Sequence, residues 1–115
     1  MTPHGPTANS FISQRLRLHY VDWGNPDAPP LILLHGGQDH CRNWDWVAED
    51  LRRDHHIIAP DLRGHGGSSH PTEESAYSFD AFASDVLGLL DARTVVGRFL
   101  KSSAVDGDYV PVLIP

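Results

Sequence analysis

HIIAPDLRGHGGSS, residues 56–69, passes in one step from a strand-like run to a glycine-rich loop, and that passage decides the fold. His56–Pro60 is short, β-branched and apolar, the composition of a strand. Pro60 closes it, because proline has no N–H to give a sheet ladder, and Asp61–Ser69 supplies the loop. An apolar run with no polar alternation fits a strand covered on both faces, the usual state in a parallel sheet.

Upstream, LILL (residues 31–34) has the same character and ends at His35-Gly36-Gly37. Between the two strands Trp44, Val47, Ala48 and Leu51 fall at i, i+3, i+4 and i+7. This predicts a short amphipathic helix, with Asn43 as its cap. After the second loop Phe79, Phe82, Val86, Leu89 and Leu90 mark one face of another helix, with Ser78 as N-cap and Asp80 favourably placed in its first turn. Earlier still, RLRLHYVDW (residues 15–23) alternates Leu16, Leu18 and Tyr20 against Arg15, Arg17 and His19, the period-2 pattern of a half-buried strand. Strands alternating with helices specify an α/β architecture built on a mostly parallel sheet. Beyond Ala92 the pattern frays: RTVV could begin one more strand, and the remainder shows no sustained period.

The chain has 115 residues, enough for one domain. Its net charge of −6 opposes a phosphate backbone, so nucleic acid is not an expected partner. No run approaches the ~20 apolar residues of a membrane span, and the polar MTPHGPTANS start lacks the features of an export signal. The single cysteine, Cys41, cannot form an internal disulfide, which fits a cytoplasmic setting.

The order of hairpin strand, LILLHGG, helix, HIIAPDLRGHGGSS and helix resembles the N-terminal part of the α/β-hydrolase family, over roughly residues 15–92. In that family one loop carries an HG signature and the next a D-x-x-G-x-G-x-S signature. Here they are His35-Gly36-Gly37 and Asp61 to Ser68. The resemblance implies a partial α/β-hydrolase fold, an N-terminal β-hairpin followed by mostly parallel strands alternating with helices. It also implies that a backbone N–H just after His35-Gly36 stabilises the oxyanion of an acyl-transfer intermediate, with Gly37 as the matching position and Gln38 second. One such preorganised donor is worth about 3 kcal/mol of barrier.

Ser68 sits among glycines as a nucleophile would, but a G-x-S-x-G elbow needs small residues on both sides. Ser68 has His70 two positions on, and Ser69 has Pro71. In the matching family loop this serine belongs to a structural turn whose Asp and Arg brace the sheet end. The elbow itself should follow Thr94-Val95-Val96, where Gly97 matches its first glycine and Phe99 stands in place of the serine. The family's acid and base come later, yet all eight histidines here precede residue 71. No nucleophile–acid–histidine triad is expected, and even Ser102 or Ser103 would lack an activating base.

Metal binding could be imagined around His35, His40 and Cys41, or around His65 and His70. Zinc needs four converging ligands, however, and no C-x-x-C or H-E-x-x-H pattern is present. GHGG lacks the remaining glycines and lysine of a phosphate loop. No metal or cofactor is expected, Cys41 is expected to be a buried inert thiol, and Trp44 and Trp46 are expected in the core.

The organisation expected is a flexible N-terminus at 1–14, the N-terminal portion of a hydrolase domain at 15–97, and an irregular, divergent tail at 98–115. Intact relatives are expected to hydrolyse an ester, epoxide or related small molecule, and this chain to be a truncated or frame-shifted member, inactive alone. The other reading is a non-catalytic binding or regulatory fragment that self-associates or pairs with another chain through an open sheet edge.

Overall fold

A computed structural model describes residues 5–92 and the backbone of 112–113. The elements run β1 (Thr7–Ser13), β2 (Leu16–Asp22), β3 (Pro30–Leu33), α1 (Asp45–Leu51), β4 (His56–Pro60), α2 (Phe79–Ala92) and β5 (Val112–Leu113). Single 3₁₀ turns at Cys41–Trp44 and Glu74–Tyr77 precede the two helices. The sheet order is β1-β2-β4-β3-β5. Antiparallel pairing joins β1 to β2 and β2 to β4, and parallel pairing joins β4 to β3 and β3 to β5.

All five residues of β4 are buried, as its unalternating apolar composition requires of a central strand. Successive side chains point to opposite faces, so Ile58 packs with Phe11, Leu18, Tyr20, Ile32 and α2's Leu89. Ile57 and Ala59 pack on the other face with Val21, Trp23, Leu33, Cys41 and α1's Ala48. Each helix thus covers one face of the sheet. Burying one such aliphatic side chain contributes roughly 1.5–3 kcal/mol, which is why these short strands persist.

The N-terminus departs from expectation. Residues 7–13 are not a flexible lead but the strand that completes a hairpin with β2, in register from Thr7 opposite Asp22 to Ser13 opposite Leu16. Gln14 and Arg15 close it with φ of 48° and 68°, the left-handed pair of a two-residue I′ turn. That turn ordinarily announces itself through Asn or Gly. Here it does not.

The α1 line holds, with Trp44, Ala48 and Leu51 in the core, while its cap and the apolar line of α2 depart from expectation. The Asn43 side chain donates to Asp39 instead of capping, and His40 caps the 3₁₀ turn by accepting from the Arg42 N–H. Ser78 does cap α2, taking the Ala81 N–H at 3.2 Å. Phe79, however, is 84% exposed, and the buried line of α2 includes Asp85 beside Leu89. Trp46 is 89% exposed, outside the core, whereas Trp44 packs against the α1 side of it.

In the tail, Val112 and Leu113 form a strand in parallel register with Ile32 and Leu33, which corrects the expectation of irregular structure at those two positions. The strand suggested at 94–96, and Gly97, Phe99, Ser102 and Ser103, lie outside the described residues. No helix among the described residues is long and apolar enough to cross a membrane.

Candidate active site

Because β3 and β4 run parallel, the loops that follow them leave the sheet at the same end, where open α/β sheets bind their ligands. Three hydrogen bonds tie the two loops together. The Leu62 N–H donates to His35 Nε2 at 3.0 Å, the Gln38 N–H to His65 Nε2 at 3.1 Å, and the Cys41 N–H to Asp61 Oδ1 at 2.7 Å. His35 Nδ1 and His65 Nδ1 face the carbonyls of Gly36 and Arg63 at 2.7 and 2.9 Å. Those partners assign both rings as neutral Nδ1–H tautomers, each holding a backbone N–H on its other nitrogen. The rings lie 4.9 Å apart, centroid to centroid.

The two candidate oxyanion donors therefore differ. Gln38, in the left-handed region at φ 60°, has its N–H committed to His65. The Gly37 N–H has no hydrogen-bond partner among the described residues. A Cβ built at Gly37 would meet nothing within 4 Å, so the space beside it is open.

Asp61 organises the second loop. Its carboxylate accepts from the Cys41 N–H, from the Gly67 N–H at 2.9 Å and from His19 Nδ1 at 2.7 Å. Gly66 adopts φ 49°, and a side chain there would fall onto that carboxylate. Burial pushes the Asp61 carboxyl up, but the N–H groups of Gly67 and Cys41 and the His19 ring outweigh it and hold it below the usual carboxylate range. A carboxyl lowered on folding contributes stability that is fully present above its unfolded value of about 3.9 and is lost as pH falls through its lower folded value. Urea melts taken down through that acid range should show this loss. Asp61→Asn should cost about 2 kcal/mol at neutral pH and flatten the acid slope.

Ser68 is a turn residue. It is buried, its Oγ donates to the Asp61 carbonyl at 2.6 Å, and it accepts the His19 N–H at 2.8 Å. The first bond closes the loop on itself, the second joins it to β2, and neither involves a base. Ser68→Ala should therefore destabilise the chain by roughly 1–3 kcal/mol in denaturant melts, without changing its reactivity toward a fluorophosphonate.

Arg63 and Asp85 form the remaining brace. Both are buried, with Nε–Oδ2 2.7 Å and Nη2–Oδ1 2.8 Å, a two-pronged pair. Asp85 also accepts from Ser13 Oγ at 2.7 Å and Gln14 Nε2 at 2.9 Å, so one carboxylate joins α2, the hairpin turn and the loop.

The Cys41 thiol is not a nucleophile in the metal-free chain. Burial foremost, and then the Asp61 charge, push it up to about 12, so no thiolate forms near neutrality. The histidines considered for metal binding are engaged elsewhere: His40 caps, His35 and His65 hold N–H groups, and His70 Nε2 lies 3.3 Å from the Gly66 carbonyl. Among the described residues, the set of donors that does converge is His19, Cys41 and Asp61. They come from distant segments, and no spacing rule links them.

Comparison with known proteins agrees with this fold. A family model described as the alpha/beta hydrolase fold matches residues 29–94. Epoxide hydrolase A of Mycobacterium tuberculosis is 38% identical over 87 residues, covering 75% of this chain and 27% of that protein. A non-heme chloroperoxidase of Streptomyces lividans is 33% identical over 99 residues, 85% of this chain and 35% of that protein. Among solved structures, Epoxide Hydrolase A from Mycobacterium thermoresistibile superposes with a TM-score of 0.68 at 33% identity, over 76% of this chain and 28% of that one. The chain thus spans about a third or less of the length of these proteins, and the matched part holds both loops. By its sheet order, its paired loops and these matches, the chain belongs to the α/β-hydrolase family.

Proposed function

We propose that this chain supplies the oxyanion loop of a hydrolase acting on an ester, epoxide or related small molecule, and that its 115 residues alone do not perform the hydrolysis. The observation that carries the proposal is the Gly37 N–H, unpartnered among the described residues and held beyond the C-terminal end of β3 by a loop tied to its neighbour through His35 and His65. Of the two donors suggested by resemblance, Gly37 is the one available to a substrate oxygen. Gln38 would have to release His65 first. Gly37 serves by stabilising charge that another group creates, and the sequence offers no histidine after residue 70 to activate a serine for it. A cytoplasmic setting, suggested by the single cysteine, is part of the proposal.

The test is complementation. The chain is co-expressed with the part of the Mycobacterium tuberculosis enzyme that lies beyond the matched region, and epoxide hydrolysis is assayed. Turnover by the pair, with none from either piece, supports the proposal. A co-purified complex without turnover overturns it and favours the second reading, a non-catalytic fragment pairing through its sheet edge. That reading draws on β5, described at two residues on the sheet edge, and on α2, where Phe79 and Leu87 are exposed.

A further inference from the structure

The donor set at the base of the two loops is independent of the oxyanion reading. One donor atom each from His19, Cys41 and Asp61 lies within 4.8 Å of both others. Cys41 and Asp61 are buried, while the His19 side chain keeps 26% exposure. His19 faces a surface cleft of about 390 Å³ lined also by Asn9, Arg17 and Gly67, which offers an ion a way in.

We propose that His19, Cys41 and Asp61 bind a divalent transition ion of the zinc class. Sulfur, nitrogen and oxygen donors together select a borderline ion over magnesium or calcium, which take oxygen ligands. Thiolate and carboxylate carry two negative charges, so a divalent cation leaves the buried site neutral, as a low-dielectric surrounding demands. The carboxylate is already oriented by the Cys41 and Gly67 N–H groups, the outer-shell support that metal ligands need.

The proton balance is simple. The proton that His19 Nδ1 now shares with Asp61 moves to Nε2, leaving Nδ1 free to ligate a metal. The Cys41 thiol proton leaves to solvent. One proton is released per ion, and water arriving from the cleft completes four-coordination. The ion then joins β2, the turn after the oxyanion loop and the loop after β4, at the place where the Asp61 carboxylate meets all three without metal.

The full chain is titrated with Zn²⁺ and with Co²⁺. Zinc X-ray absorption of the unsubstituted chain should show one sulfur at about 2.3 Å and nitrogen or oxygen ligands at about 2.0–2.2 Å. Cobalt should give a thiolate-to-metal absorption band. Cys41→Ser should abolish that band and weaken binding at least tenfold. His19→Gln, which can still hydrogen-bond Asp61, should keep the band and weaken binding about tenfold. A zinc shell of nitrogen and oxygen alone, affinity weaker than millimolar, or a Cys41→Ser chain that binds like the original would overturn the proposal. The absorption measurement decides even where a variant fails to fold.

Discussion

Arg63→Met should lower the unfolding free energy by about 3–5 kcal/mol, among the largest losses any single substitution in this chain can cause. Arg63 and Asp85 are both buried, and removing the guanidinium leaves a carboxylate in the interior with only Ser13 and Gln14 to hold it. The cost comes chiefly from that stranded charge and much less from the net worth of the pair. A small α/β domain has about 5–15 kcal/mol in all, so the single variant should lose its cooperative transition at moderate urea. Arg63→Met combined with Asp85→Leu should recover much of the loss, because an apolar pair of similar volume carries no desolvation penalty. Denaturant melts of the singles and the double give the coupling directly, and a double variant no more stable than either single would refute the stranded-charge explanation.

Gly37→Pro should reduce turnover of the complemented hydrolase by about 10²–10³-fold, the usual consequence of deleting one oxyanion donor. Proline removes the N–H, and it also fixes φ at 37 and restricts Gly36, whose carbonyl holds His35 Nδ1. Gly37→Ala is the matched control: it keeps the N–H, and its Cβ would enter open space, so it should lose far less. The loss should appear in kcat and in kcat/KM together, the mark of an interaction made in the transition state. Equal activity of the proline and alanine variants would remove Gly37 from the reaction.

Much of this architecture was legible because its strongest signals are local. The unalternating LILL and HIIAP runs announce buried parallel strands, and each glycine in DLRGHGG stands where a turn or a close approach requires it. What escaped the sequence depends on contacts between distant residues. β1 escaped because the Gln14-Arg15 turn takes left-handed angles without the glycine or asparagine that would mark it. Periodicity puts Phe79 on the apolar face because it counts apolar positions, whereas Asp85 occupies the buried line through its bond to Arg63. The difference between Gly37 and Gln38 depends on His65, a residue of the other loop, and only the folded chain brings the two together. The His19, Cys41 and Asp61 set arises in the same way.

The most direct measurement is made on the purified full chain alone, with a fluorophosphonate probe and an activated ester assayed side by side. A site for negative charge without an activated attacking group should yield no covalent adduct and no turnover above buffer. Covalent capture at Ser68, Ser102 or Ser103, together with ester hydrolysis at enzyme-like rates, would contradict it.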